Sequence, residues 1–251
     1  MSRNSFRTMD EALAVEAKLK RRQEFAQQEA AAGGAASKAS AKGSVGRAKL
    51  AGGGKPRHAP GSSGSGEIRI IGGQWRRRRL PVATKPGLRP TPDRVRETLF
   101  NWLGQDLGGW RCIDAFAGTG ALGLEAASRG AEQVWVVEQD PALAAQIQQL
   151  QQQLGADAVR VQRGDAISAL KQATSAHWHL VFLDPPFEAE NLFLPALQAA
   201  SEAIAADGYV YLEAPQAWDD AAVAQAGLSV YRYLKAGMVH AHLLRKTMQT
   251  A

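Results

Sequence analysis

The sequence predicts an α/β protein with a doubly wound, mostly parallel sheet that an antiparallel C-terminal hairpin completes. Two observations lead to this prediction. From Arg111 onward, apolar runs of strand length alternate with helical segments, which is typical of parallel βαβ units. Close to the end, two further apolar runs flank Ala236-Gly237, which has the length of a tight hairpin turn.

Seven strands are predicted in this part of the chain. The five parallel strands are predicted over residues 112–116, 133–138, 158–162, 180–183 and 208–213. The hairpin strands are predicted over residues 228–235 and 238–244. One helix has clear end signals, because Asp140 is suited to its N-cap, Pro141 to its first turn and Gly155 to its end.

Charge divides the chain unevenly. The 251 residues carry a net charge of +6, but residues 1–110 hold 21 Lys and Arg against 9 Asp and Glu. Residues 111–251 hold 9 against 15. A basic N-terminal part attached to an acidic body suggests a polyanionic partner such as nucleic acid.

Composition also excludes several classes of protein. Cys112 is the single cysteine, so an internal disulfide is excluded. No apolar run reaches the roughly 18 residues that a membrane span needs, and the N-terminus lacks the apolar stretch of a secretory signal. We therefore expect a cytoplasmic protein without a membrane partner. A monomer is expected as well.

Three regions are predicted. Residues 1–66 form a basic extension, helical over residues 8–31 and disordered over the Ala-, Gly- and Ser-rich part from residue 32. Residues 67–110 form a small hairpin, with strands at 68–71 and 74–82 around Gly72-Gly73, followed by a helix. Residues 111–251 form the α/β domain, in which the candidate catalytic residues described below lie.

The helix of the middle region has a marked start. Thr91 is predicted as its N-cap, Pro92 as its first residue and Asp93 as an acid near the positive end of the helix dipole. Its buried stripe is predicted to consist of Val95, Leu99, Trp102 and Leu103.

A glycine-rich loop follows the first parallel strand. Gly118, Gly120 and Gly123 match G-x-G-x-x-G between a strand and a helix, where backbone N–H groups can approach a ligand closely. Glu138 ends the next strand 20 positions after Gly118, where a carboxylate can accept hydrogen bonds from ribose hydroxyls. Together these features predict a nucleoside-type cofactor.

Asp114 indicates which cofactor. A carboxylate four residues before the first glycine repels a diphosphate but attracts a positively charged sulfonium. The segment from Asp114 to Gly120 resembles the first motif of the class I S-adenosylmethionine-dependent methyltransferases, D-x-F-x-G-x-G. That resemblance implies a Rossmann-like fold and a bound S-adenosylmethionine, with cofactor contacts from the following residues: Asp114, Phe116, Gly118, Gly120, Glu138 and Asp165.

The sequence Asp184-Pro185-Pro186-Phe187 follows the fourth parallel strand. An exocyclic amino group of a base is a weak nucleophile, and acceptors on its two N–H bonds favour a more reactive, pyramidal nitrogen. The Asp184 carboxylate and the Pro185 carbonyl can be those acceptors, while Pro186 has no N–H to compete. Phe187 offers a face on which the base can stack.

This tetrapeptide matches the [D/N]-P-P-[Y/F] motif of amino methyltransferases. Within that group, the chain resembles the bacterial guanine-N2 methyltransferases of small-subunit (16S) ribosomal RNA over about residues 68 to 245, most specifically over 89–102. The resemblance implies an rRNA partner, within an assembling small subunit, and a guanine flipped out of its stack.

Basic side chains of the middle region, together with one aromatic side chain, are then candidate RNA contacts. They are Arg69, Trp75, Arg76, Arg78, Arg89 and Arg94, with Arg77, Arg79 and Arg96 nearby. As a set they suit a phosphate-binding strip. The histidine pairs at 177/179 and 240/242 lack further metal ligands in the sequence pattern, so no metal is expected.

Other functions are compatible with parts of this pattern. Adenine-N6 of DNA fits the same chemistry, whereas a protein glutamine is disfavoured because asparagine usually leads the motif in enzymes that modify it. A non-enzymatic RNA-binding assembly factor is disfavoured by the intact Asp114, Glu138 and Asp184. An NAD-dependent oxidoreductase is disfavoured by Asp114.

Overall fold

The structure is a computed structural model that describes residues 66–82, 85, 88, 90–174 and 177–247. Residues 59–251 belong to one compact unit. The helix predicted over residues 8–31, and nearly all of the linker predicted over 32–66, lie outside the described residues.

Nine strands and six helices make up the described part of the chain. The strands are β1 (Glu67–Arg69), β2 (Arg79–Pro81), β3 (Arg111–Asp114), β4 (Gln133–Glu138), β5 (Val159–Arg163), β6 (Trp178–Leu183), β7 (Ile204–Ala214), β8 (Leu228–Ala236) and β9 (Val239–Lys246). The helices are α1 (Asp93–Leu103), α2 (Ala121–Ser128), α3 (Pro141–Leu154), α4 (Ala166–Gln172), α5 (Glu190–Ala203) and α6 (Asp220–Ala224).

Seven of these strands form one sheet in the order β5-β4-β3-β6-β7-β9-β8. The first five are parallel neighbours, and β9 pairs antiparallel with both β7 and β8. The predicted doubly wound sheet with an antiparallel hairpin is confirmed. The hairpin turn lies one residue later than predicted, because Ala236 pairs with Val239 and leaves Gly237-Met238 as the turn.

Helices cover both faces of this sheet. The apolar residues of α1, α2 and α3 pack with those of β1 and β2 against one face. The apolar residues of α4, α5 and α6 pack against the other. The strand order reverses between β3 and β6, so the loops after β3, β4 and β6 meet at the carboxyl edge where ligands bind in such folds.

The N-terminal hairpin exists but differs from the prediction. β1 and β2 pair over three residues each, from Glu67↔Pro81 to Arg69↔Arg79. Residues 70–78 form a long irregular connection instead of a two-residue turn, and Arg77 in it has a φ of 69°. The strand predicted over residues 74–82 is therefore wrong before Arg79.

The start of α1 also differs by one residue. Pro92 is the N-cap, because its carbonyl accepts the N–H groups of Val95 and Arg96 at 2.9 and 3.1 Å. Thr91 is buried, and its hydroxyl hydrogen-bonds to Glu213 instead of capping the helix. The buried face of α1 contains Arg96 and Phe100 in addition to Val95, Leu99 and Leu103, whereas Trp102 is half-buried.

Candidate active site

The carboxyl edge of the sheet gathers most of the residues predicted for the site. Asp114 ends β3, Glu138 ends β4 and Asp184 directly follows β6. Since β4, β3 and β6 are neighbours in the sheet, these three acidic residues lie at the ends of adjacent strands. Asp165 follows β5, one strand further out.

The loop after β3 forms a tight turn into α2. Gly118 and Gly120 have φ angles of 56° and 77°, and Gly120 is the N-cap of α2. The N–H of Gly118 donates to Oε2 of Glu138 at 2.7 Å, while the N–H of Asp140 donates to its Oε1 at 2.8 Å. Glu138 therefore holds the glycine loop in place and keeps its remaining lone pairs for a ligand.

Asp114 lies underneath this loop. Its side chain is buried, and its Oδ2 accepts the N–H of Gly123 at 2.8 Å. Burial raises the pKa of Asp114 to about 7, assisted by the charges of Glu138 and Glu213, although the Gly123 hydrogen bond opposes the shift. A carboxylate in such a position gains stability from a nearby positive charge.

Gly123 makes the close packing of α2 on β3 and β4 possible. A Cβ at this position would lie 2.9 Å from Val136 Cγ2 and 3.0 Å from Asp114 Oδ2. The third glycine of the motif thus serves the contact between helix and sheet that supports the loop.

Asp165 caps a helix. It is the N-cap of α4, and its Oδ1 accepts the N–H of Ser168 at 2.8 Å. Hydrogen bonds from Ser168 lower the pKa of Asp165, so its carboxylate is ionised at neutral pH. Its exposed position leaves it accessible to a ligand at the same edge of the sheet.

The Asp184-Pro185-Pro186-Phe187 loop extends the end of β6. Pro185 is buried, Pro186 is exposed, and Asp184 and Phe187 are half-buried. The Pro186 carbonyl accepts the N–H of Ala189 at 2.9 Å, which closes a turn in front of α5. Desolvation raises the pKa of Asp184 well above its ordinary value, and the charges of Glu213 and Asp114 raise it further.

Two site residues were not predicted from the sequence. Glu213, near the end of β7, is 2% exposed, and Tyr211 Oη donates to its Oε1 at 2.8 Å. Burial raises the pKa of Glu213 to about 7, against the hydrogen bonds from Tyr211 and Thr91. The sequence offered one signal for Glu213, because it is a charged residue at the end of an apolar strand.

The residues predicted to contact RNA lie in different environments. Arg76, Arg78 and Arg94 are exposed. Trp75 is half-buried against the apolar core, and Arg89 lies outside the described residues. Arg69 is about half exposed and pairs with Asp93, Nη2 to Oδ2, at 2.8 Å.

A cleft accompanies these arginines. It has a volume of about 240 Å³ and is lined by Arg69, Ile70, Ile71, Arg76, Arg77 and Glu97. Arg96, in contrast, is 1% exposed and pairs with Asp93 and Glu125, so its prediction as an RNA contact is wrong.

Two features are absent from the described residues. Among them, no group of three or more His, Cys, Asp or Glu side chains is arranged to hold a metal ion. Within the same residues, no helix has the length and apolar character to cross a bilayer.

Comparison with known proteins identifies the family. The family model described as "Conserved hypothetical protein 95" matches residues 68–245. The chain is 43% identical over 201 residues to "Ribosomal RNA small subunit methyltransferase D" of Escherichia coli strain K12, covering 78% of this chain and 96% of that protein. The chain belongs to this family.

Solved structures agree with the fold. The structure described as "Putative methyltransferase yhhF from Escherichia coli" is 40% identical to this chain with a TM-score of 0.60, over 73% of this chain and all of that one. The HI0767 protein of Haemophilus influenzae is 32% identical with a TM-score of 0.59, again over 73% of this chain and all of that one. The fold is that of the class I, Rossmann-like methyltransferases.

Proposed function

We propose that this protein transfers a methyl group from S-adenosylmethionine to the exocyclic N2 amino group of a guanine in small-subunit ribosomal RNA. One observation carries the proposal. The Asp184-Pro185-Pro186-Phe187 loop lies at the end of β6, beside the strand that leads into the glycine loop. Relatives named as small-subunit rRNA methyltransferases support the choice of RNA.

The cofactor side of the site suits a cation. Backbone N–H groups of Gly123, Gly118 and Asp140 orient the Asp114 and Glu138 carboxylates. A sulfonium near Asp114 would stabilise the ionised carboxylate that burial disfavours. In this proposal, Glu138 accepts hydrogen bonds from the ribose hydroxyls and Asp165 contacts the adenine amino group.

S-adenosylmethionine supplies an electrophilic methyl group. Asp184 and the Pro185 carbonyl accept hydrogen bonds from the two N–H groups of the base amine. These hydrogen bonds direct the lone pair of the nitrogen toward that methyl group. Phe187 orients the base by stacking on its face. The amine nitrogen would form its new bond to the methyl carbon as the bond from that carbon to sulfur breaks, which leaves S-adenosylhomocysteine. The extra proton on the nitrogen would pass to the Asp184 carboxylate and from there to water. Much of the acceleration would come from holding the reactants in line.

The acceptor is tested by direct identification of the product. Labelled S-adenosylmethionine is incubated with the protein and, in turn, small ribosomal subunits, naked rRNA, DNA and a release factor. We expect label in N2-methylguanine from rRNA. Label confined to N6-methyladenine or to protein would overturn the guanine assignment.

The role of Asp184 is tested by substitution. Asp184→Ala should abolish transfer while cofactor affinity, measured by calorimetry, stays within a few-fold. The matched control is Glu188→Ala, which removes an exposed carboxylate from the same loop and should leave turnover unchanged. Full turnover in Asp184→Ala would refute the assigned role.

A further inference from the structure

Glu213 is a buried acid that the proposed reaction does not yet use. It lies on β7, the neighbour of β6 on the side away from the glycine loop. The two strands pair in parallel with Leu183 opposite Leu212. Extending this register by one residue places Asp184 opposite Glu213, on strands about 4.8 Å apart.

The surroundings of Glu213 hold its carboxylate in a defined position. Tyr211, two residues earlier on the same face of β7, donates its hydroxyl to Oε1 at 2.8 Å. Thr91, which precedes α1, hydrogen-bonds to Glu213 from the N-terminal region. Tyr211 is itself fixed by an edge contact with Phe182, with 6.2 Å between ring centroids.

These hydrogen bonds favour the ionised form of Glu213. Both donors are hydroxyl groups, and Arg96 of α1 adds a favourable charge. The other charged groups around Glu213 are acids: Asp184 from the end of β6 and Asp114 from the end of β3. The hydrogen bonds and Arg96 oppose the desolvation that raises the pKa of Glu213 to about 7, so above that pH Glu213 places a negative charge near Asp184.

We propose that Glu213 is a positioning residue for the methyl transfer, which acts through Asp184 by making that carboxylate a stronger hydrogen-bond acceptor for the base amine. A neighbouring negative charge increases the proton affinity of Asp184, and a more basic acceptor pulls harder on an N–H bond. The same charge makes Asp184 harder to ionise, so it also decides the pH at which the site becomes active. This inference rests on the proposed function of Asp184.

The test is the pH dependence of turnover at saturating cofactor. Glu213→Gln keeps the shape of the side chain and its capacity to accept hydrogen bonds but removes the charge. The acid limb of its rate profile should move to lower pH by at least about half a unit. Its maximal rate should fall, while affinity for S-adenosylhomocysteine stays within about two-fold.

A second variant guards against a folding defect. Tyr211→Phe removes a hydroxyl that stabilises the ionised Glu213, so the limb should move in the same direction by a smaller amount. Glu132→Gln is the matched control, because Glu132 is exposed and precedes β4 at the opposite end of the strands. Its profile should superimpose on that of the unaltered protein.

A direct readout does not depend on activity. The carboxyl carbons of ¹³C-labelled aspartate are titrated by NMR, and the Asp184 signal is assigned from its loss in Asp184→Asn. The titration midpoint of Asp184 should fall in Glu213→Gln. An unmoved midpoint and an unmoved acid limb would overturn the role of Glu213, whereas failure of the unaltered protein to methylate rRNA would overturn the proposed function instead.

Discussion

Arg96 and Glu125 form an ion pair inside the protein, with 3.3 Å between Nη1 and Oε2 and exposed fractions of 1% and 0%. Arg96 belongs to α1, and Glu125 belongs to α2, the helix that the glycine loop leads into. The same Glu125 carboxylate accepts the N–H groups of Ile71 and Gly72 at 2.8 and 2.7 Å. One buried acid thus joins the N-terminal hairpin region and α1 to the helix that supports the glycine loop.

Arg96→Met is expected to lower the free energy of unfolding by about 3 kcal/mol, because it leaves a buried carboxylate with one cation fewer. Urea denaturation followed by circular dichroism measures the change. Arg94→Met, an exposed position on the same helix, should alter stability by less than about 0.5 kcal/mol. Equal stabilities for the two variants would contradict the role of the pair.

Gly123→Ala is expected to lower both stability and cofactor affinity, since the new methyl group would press on Val136 and Asp114. Overpacking of this kind costs about 1–3 kcal/mol. Thermal unfolding and calorimetric titration with S-adenosylhomocysteine measure the two effects. Gly164→Ala is the control, because its Cβ would approach no closer than 3.6 Å, to Gln162; a harmless Gly123→Ala would show that α2 packs less closely than described.

Asp114→Asn is expected to stabilise the free protein at high pH. The pKa of Asp114 is raised to about 7 in the folded protein, above its value in the unfolded chain. Because the unfolded chain loses this proton first, the free energy of unfolding falls as pH rises from about 4 to 7. Above pH 7 the folded state carries a buried charge, and the asparagine removes about 1–3 kcal/mol of that cost. Below pH 4 the aspartate is neutral in both states and the benefit should vanish.

Urea denaturation of both proteins at pH 4 and pH 8 measures this difference. The hydrogen bond from Gly123 can persist in the variant because the amide oxygen is also an acceptor. Cofactor affinity at pH 8 should fall at the same time, since the charge that attracts a sulfonium is gone. A stability difference independent of pH would contradict the shifted pKa of Asp114.

Replacing both Arg76 and Arg77 by Gln is expected to weaken RNA binding without changing the maximal rate. Both residues are exposed and line the cleft of the N-terminal hairpin. Loss of two phosphate contacts should reduce the slope of log affinity against log salt by about 1 to 2. Filter binding to an rRNA fragment over a salt series measures the slope, and Arg232→Gln on β8, exposed and distant in sequence, should leave it unchanged.

Local signals in the sequence were sufficient for several elements. Strand β4 and helix α3 have the predicted bounds, because Asp140, Pro141 and Gly155 act on their immediate neighbours. The side chain of Asp140 accepts the N–H groups of Ala142 and Leu143, as an N-cap does. The positions of Glu138 and Asp184 at strand ends also followed from the alternating pattern. Asp114, in contrast, was predicted inside a strand over residues 112–116, whereas in the structure it ends β3.

Tertiary contacts decided the rest. Residues 70–78 have the composition of a basic strand, but Glu125 and Ser128 of α2 take up their backbone N–H groups and bend the chain away from β1. Thr91 does not cap α1, because its hydroxyl hydrogen-bonds to the buried carboxylate of Glu213, which only the folded chain brings near it.

The sequence by itself therefore determined the fold class, the glycine loop and the residues that face the proposed cofactor and base, since each depends on spacing along one strand and the loop that follows it. The tertiary structure decided which charged side chains are exposed at the surface and which are buried in ion pairs or hydrogen bonds. Arg96 and Glu213 are the clearest cases. Each depends on a partner 29 residues away along the chain, Glu125 for Arg96 and, in the proposal above, Asp184 for Glu213. These partners meet only when the sheet and its covering helices have assembled.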